Sequence, residues 1–291
     1  MTEGGSALLA FSTLACPEWD AETVIRRAAD MGYRGVEWRG GPDGTVDVAW
    51  SAIRRAAVRS AMSEAGIAAV AVTAYSELIS GDLAIRSRSV DALVRHAELA
   101  RDLGAPAVRV FLGVADDNAP PAELERRAIE ALAIALTRAD TTVTLAIEPH
   151  DDHVLSGSVA PILRALHEER LGVVWDIANA WSGGEAPETG LAAYGGRIAY
   201  VQVKDGVGRG TSWRFTGLGD GEVPLGRALA ALRASQRAAR LPMPPISVEW
   251  ERAWHPELAP ADEALPAARR WLADTLAGLD VAGAASSGGA A

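Results

Sequence analysis

Residues 142–178 read TVTLAIEPHDDHVLSGSVAPILRALHEERLGVVWDIA. Two aliphatic runs, 142–149 and 172–178, flank a segment near 158–168 whose apolar residues recur at helical spacing, and each run carries one acid near its C-terminal end, Glu148 and Asp176. Strand, helix and strand in that order form the repeating unit of a parallel sheet. The alternation continues in both directions. Upstream, strand-like runs at 8–15, 35–39, 68–75 and 107–113 alternate with helical patterns at 20–31, 49–64, 84–103 and 121–138. Downstream, a helix at 188–195, a strand at 198–204, a helix at 224–239, a strand at 245–250 and a helix at 261–276 complete the series. Eight strand and helix pairs predict an α/β protein, a single-domain parallel (β/α)8 TIM barrel over residues 1–280. The tail 281–291, which includes GAASSGGAA, has no periodic content and is expected to be disordered. The alternative, an open doubly wound sheet, lacks the GxGxxG that would follow its first strand.

Strand parity places the polar residues. Successive side chains in a strand face opposite ways, so Glu37 opposes Val36 and Trp38, Arg109 opposes Val108 and Val110, and Glu148 opposes Leu145 and Ile147. Likewise Gln202 and Lys204 oppose Val201 and Val203, and Glu249 opposes Val248 and Trp250. With the apolar set against the helices, the polar set faces the barrel interior, near the C-terminal mouth where barrel enzymes keep their chemistry. An ionised carboxylate in such a wall needs a counter-charge or a metal. Glu148, Asp176, Gln202 and Glu249 offer oxygen ligands alone, which suits Mn2+ or Mg2+, with Co2+ or Zn2+ as the borderline cases. The competing reading is internal pairing with Arg109 and Lys204, which the acids outnumber.

Composition narrows the function classes. A net charge of -10 and the absence of a dense basic stretch argue against nucleic acid as a partner. The longest apolar runs fall short of the roughly 20 residues a membrane helix needs, and no basic segment precedes ALLAFSTLA as in a signal peptide. Cys16 is the only cysteine, which excludes an internal disulfide and fits a cytoplasmic protein. Lys204 is the only lysine among 28 basic residues, so a compact ammonium is a candidate requirement at that position.

In order and spacing, FSTLACPEWDAETVIRRAADMGYRGVEWR, VRVFLG, LAIEPHDD, VVWDIANA, YVQVKDG and ISVEWE together resemble the xylose isomerase-like barrels of the sugar phosphate isomerase/epimerase group. That group includes ketose 3-epimerases, hydroxypyruvate isomerase and inosose dehydratase. The resemblance implies a divalent metal held by Glu148, Asp176, Gln202 and Glu249, with Gln202 where His is common, as in the hydroxypyruvate isomerases. It implies Glu148 and Glu249 as the catalytic acid and base of an isomerase or epimerase that acts on a ketose or keto-sugar through a metal-stabilised enediolate. The alternative outcome is a dehydratase or lyase on a keto-sugar or keto-inositol using the same site. A small-molecule sugar is the expected partner, and a homo-oligomer is implied by the family alone. The type IV apurinic endonucleases share the fold, but Asn179 and Gln202 stand where their zinc cluster needs histidines. A degenerate barrel that only binds a sugar or a partner subunit is a further alternative.

Around this set, His150, Asn179, Lys204 and Arg209 are candidate substrate contacts. Arg109 and Glu37 are expected to pair with each other or to buttress the metal carboxylates. His153 and His255 are expected at the surface, His96 and His167 in structural roles. The glycine-rich loop 206–221 is long enough to be a flexible lid; the alternative is a phosphate cradle that Arg209 or Arg214 reaches, although no phosphate-loop spacing is present. Trp213, Tyr75 and Phe111 are candidates for an apolar wall beside the sugar.

Overall fold

The eightfold alternation closes on itself in the computed structural model, which describes residues 7–287. Among the described residues the strands are β1 (Leu9–Ser12), β2 (Gly35–Arg39), β3 (Ala68–Thr73), β4 (Ala107–Val110), β5 (Thr144–Ile147), β6 (Leu171–Asp176), β7 (Ile198–Val203), β8 (Asp205–Val207), β9 (Arg214–Thr216) and β10 (Ile246–Val248). Eight of them form a closed barrel in the order β1-β10-β7-β6-β5-β4-β3-β2, every neighbour parallel. The remaining two, β8 and β9, make a small antiparallel hairpin.

The helices are α1 (Ala21–Asp30), α2 (Ala52–Ala65), α3 (Leu83–Leu103), α4 (Pro121–Arg138), α5 (Ser156–Leu166), α6 (Ile177–Ser182), α7 (Pro187–Tyr194), α8 (Leu225–Ala239) and α9 (Ala261–Ser287). Their starts are written in short polar side chains. Asp20 accepts the Thr23 N–H at 2.9 Å and Ser51 that of Arg54 at 3.2 Å, each satisfying a backbone donor that the first turn leaves unpaired. Both α2 and α3 stop at glycines, Gly66 and Gly104, in the left-handed conformation that a side chain would disfavour.

Parity holds as expected. Val36, Trp38, Val108, Val110, Leu145, Ile147, Val201 and Val203 are buried between the barrel wall and the helices, against residues such as Val24, Leu93, Leu132 and Leu272. Burying a side chain of this size contributes about 1.5–3 kcal/mol, so this shell dominates the packing energy. A separate, smaller cluster of Ala10, Val70, Ala71, Ala107, Ala146, Val174 and Tyr200 fills the barrel's interior. The buried polar layer shares that interior.

Three local differences from the sequence expectation matter. The first strand ends at Ser12 rather than 15, because Ser12 caps a short 3-10 turn at Thr13–Ala15. The sixth ends at Asp176 rather than 178, because the Asp176 carboxylate caps the unforeseen helix α6. The last helix, expected at 261–276, reaches Ser287, and residues 288–291 of the tail expected to be disordered lie outside the described residues. No described helix is long and apolar enough to cross a membrane.

Cys16 is fully buried, and burial followed by the negative charges of Glu18 and Asp262 pushes its thiol above the ordinary range. A thiol reagent such as Ellman's should therefore leave the native protein unlabelled and react stoichiometrically once denaturant is added. Rapid labelling without denaturant would contradict the packing of the β1 end of the barrel.

Candidate active site

Four consecutive strand ends, in the order β5, β6, β7 and β10, present Glu148, Asp176, Gln202 and Glu249 to one space. Glu148 and Glu249 are each the first residue past a strand, and their backbone N–H groups still donate to the neighbouring strand, to Val110 at 2.9 Å and Val203 at 3.0 Å. The last ladder bonds thus fix where both carboxylates emerge. Asp176 is held by its capping role, with Oδ1 accepting the Asn179 N–H at 2.9 Å. Carboxylate oxygens of Glu148, Asp176 and Glu249 all lie within 4.8 Å of one another.

Gln202 belongs to the same layer through its hydrogen bonds. Its Nε2 donates to Glu37 Oε1 and Glu249 Oε1, both at 2.9 Å. Two carboxylate partners require the NH2 side of the amide, so the orientation is determined by the network. Gln202 Oε1 is left buried with no hydrogen-bond partner. A bare acceptor in a dry interior is unfavourable unless a cation or donor meets it. The three carboxylates beside it make an oxygen donor set that could take a hard divalent ion. Below it, Glu37 also accepts from Tyr200 Oη at 2.9 Å and Ser247 Oγ at 2.7 Å. The expected pairing of Glu37 with Arg109 does not form, since Arg109 lies against Glu148 and Glu249; Glu37 instead holds Gln202.

Charge dictates the remaining contacts. Four buried carboxylates, Glu37, Glu148, Asp176 and Glu249, share the interior with two buried cations, Arg109 and Lys204. Arg109 Nη1 lies 3.1 Å from Glu148 Oε2 and 3.6 Å from Glu249 Oε1. Lys204 Nζ lies 2.7 Å from Glu249 Oε2, 2.9 Å from Asp176 Oδ2 and 2.7 Å from Glu251 Oε1. Burial and the neighbouring charges together move the acids from their ordinary range. Burial raises Glu148 well above the usual carboxylate range against the pull of Arg109, and it also raises Asp176, against Lys204. Burial, with Glu249 adding to it, pushes Glu37 up to about 7. At Glu249 burial again opposes ionisation, but Lys204 and then Arg109 outweigh it and the group stays low.

Most of the expected substrate contacts join this group. Asn179 Nδ2 donates to Glu148 Oε1 at 3.2 Å. His150 packs on Phe111, ring centroids 4.5 Å apart, and lines two of the cavities at the mouth, one of about 740 Å³ and one of about 240 Å³. Lys204 and Asn179 line the smaller cavity. Arg209 does not join them: its guanidinium stacks 4.2 Å over Trp181, and the residue lines neither cavity. Trp213 lines the smaller cavity, whereas Tyr75 and Phe111 line the larger.

Three residues were missed or under-read in the sequence. Glu251 is the third carboxylate on Lys204, and the period of two that puts it on the Glu249 face was its signal. Tyr200 follows the same rule from Gln202. His255, expected at the surface, lines the smaller cavity and packs on Phe215 at 5.1 Å. The segment expected to be a flexible lid carries the β8–β9 hairpin, and the Asp205 carboxylate accepts backbone N–H groups from Gly206, Gly219, Gly221 and Val223 at 2.9–3.2 Å.

The family model of the xylose isomerase-like TIM barrels matches residues 25–275. The chain belongs to that family. No curated protein sequence matches it. Among solved structures, this xylose isomerase-like barrel is similar to an IOLI protein with a binding zinc atom, with 17% identity over 93% of this chain and 98% of that one and a TM-score of 0.78. An L-ribulose 3-epimerase structure gives the same identity and TM-score, 17% and 0.78, over 97% and 98% of the two chains. D-psicose 3-epimerase with D-tagatose from Clostridium cellulolyticum H10 is 12% identical over 92% and 99%, with a TM-score of 0.71. At these identities the likeness is one of fold.

Two substitutions test the network. Lys204→Met removes a buried ammonium from three carboxylates and should cost the metal-free protein about 3–5 kcal/mol. Because Lys204 also contacts oxygens offered to a metal, the rise in melting temperature on adding Mn2+ should be larger in this variant than in the wild type. An equal or smaller rise would show that ammonium and metal do not compete. Asp205→Ala strips the acceptor from four backbone N–H groups, at about 1–3 kcal/mol. Faster hydrogen exchange confined to 206–223 is the expected signature.

Proposed function

We propose that this xylose isomerase-like barrel is a divalent-metal-dependent isomerase or epimerase acting on a ketose or keto-sugar. The observation that carries the reading is the convergence of Glu148, Asp176 and Glu249 at the barrel mouth, with Gln202 hydrogen-bonded to Glu249 beside them. These four residues would hold the ion, and the oxygen-only donor set favours Mn2+ or Mg2+, although zinc also accepts carboxylate ligands and is bound by one structural neighbour, the IOLI protein. When bound, such an ion supplies Lewis-acid polarisation of the carbonyl and of the neighbouring hydroxyl.

The chain's own residues then handle the proton. β5 and β10 are separated in the barrel by β6 and β7, so Glu148 and Glu249 flank the site from two sides. One takes the carbon-bound proton next to the carbonyl as a base, and the other returns a proton on the opposite face, which inverts that carbon. Reversal of the two roles gives the back reaction. Arg109 beside Glu148 and Lys204 beside Glu249 offset the charge each carboxylate carries in turn. Asn179 holds Glu148 Oε1, and His150 and Lys204 face substrate hydroxyls at the cavity walls. The names of the structural neighbours, L-ribulose and D-psicose 3-epimerases, support this class of substrate.

A second reading, loss of a β-hydroxyl as water, has one observation in its favour. Lys204 presents an ammonium, backed by Glu251, to the smaller cavity, where it is placed to protonate a departing hydroxyl.

Glu148→Gln and Glu249→Gln should each lower solvent-deuterium exchange into a ketose, measured with Mn2+ supplied, by about 10²- to 10⁴-fold. Undiminished exchange in both variants would remove their role. Product mass separates epimerisation from dehydration.

A further inference from the structure

The larger cavity at the mouth, about 740 Å³, begins at Glu148, Glu249 and Arg109 and continues outward past Tyr75, Phe111 and Trp254 to α3. Pockets of about 300–1,000 Å³ enclose drug-sized ligands, so a free monosaccharide seated over the carboxylates leaves much of this volume empty. The part left empty has a definite character. Tyr75 is 43% exposed and Trp254 52%, so each still presents ring surface to the cavity.

These faces are held still. The Arg39 guanidinium lies 4.6 Å from the Trp254 ring and 6.0 Å from Tyr75, donates through Nε to Tyr75 Oη at 3.2 Å, and is itself held by the Asp43 carbonyl at 2.6 Å. From the interior side, Arg109 lies 4.2 Å from the Phe111 ring and 5.4 Å from Tyr75. Two arginines therefore pin three aromatic rings between the reacting carboxylates and solvent. Charged residues further out, Arg88 and Arg95 against Glu77, Asp151 and Glu251, leave no positive excess to attract an anionic tail. A rigid aromatic surface selects a flat or ring-shaped group, and because its side chains are already ordered little entropy is lost on binding.

We propose that this part of the cavity is a subsite for a ring attached to the reacting ketose, so that the substrate is a ketose bearing a glycosyl or aryl substituent rather than a free sugar. The inference rests on the ketose reading above and specifies its substrate class. The reacting ketose lies over Glu148 and Glu249, and the attached ring stacks against Tyr75 and Trp254.

The test compares fructose, isomaltulose (fructose carrying a glucosyl ring) and 6-O-benzylfructose, titrated into the Mn2+-supplied full chain by calorimetry, with deuterium exchange followed in parallel. At least one ring-bearing ketose should bind roughly tenfold tighter than fructose, and the two arms distinguish a glycosyl from an aryl occupant. Trp254→Ala should abolish that advantage while leaving fructose unchanged, and Trp254→Phe should retain most of it. Equal affinity for all three ligands, or an advantage that survives Trp254→Ala, overturns the subsite and leaves the ketose reading standing if fructose still exchanges. If no ketose binds or exchanges, the ketose reading fails and the subsite falls with it.

Discussion

An excess of negative charge buried at the mouth of a barrel is the constraint on which the rest of this structure depends. Four carboxylates and two cations share a volume that water scarcely reaches, and neither packing nor backbone hydrogen bonding can cancel the difference. The protein meets the excess by multiplying contacts. Lys204 serves three acids, Arg109 two, and Glu37 is wrapped by Tyr200, Gln202 and Ser247. Burial first, and the neighbouring carboxylates after it, still hold Glu148 and Asp176 above the usual carboxylate range.

The fold was legible because its two governing patterns are local. Helical spacing and the period of two survive in a single sequence without knowledge of any long-range contact, so β2 and α4 fall at their expected residues and the polar layer lies on the expected face. The candidate cluster followed for the same reason: once Glu148 and Glu249 are known to oppose their apolar neighbours, closure of the barrel brings them together without further information.

What escaped the sequence depends on contacts between distant segments or on side chains with two competing uses. Asp176 reads as a strand residue until its carboxylate is seen to cap α6, an alternative that Asp always carries. Glu251 lies past the last strand, where alternation persists but the hydrophobic pattern that reveals it has ended. Arg209 reads as a cation within reach of substrate, yet the nearby Trp181 offers it a face to stack on. The exposed ring of Trp254 gains meaning only from Arg39, more than two hundred residues earlier in the chain.

The Asp205 clamp has a consequence for how such a barrel diversifies. Asp205 is bonded to Lys204, and its four amide partners gather the two ends of the following excursion into one knot at the base. The tip of that excursion can lengthen, shorten or change composition without dragging the ammonium out of register with its carboxylates. The rim and the buried charge cluster are thereby decoupled within a few residues, so the rim can be revised while the ion pairs of Lys204 stay as they are.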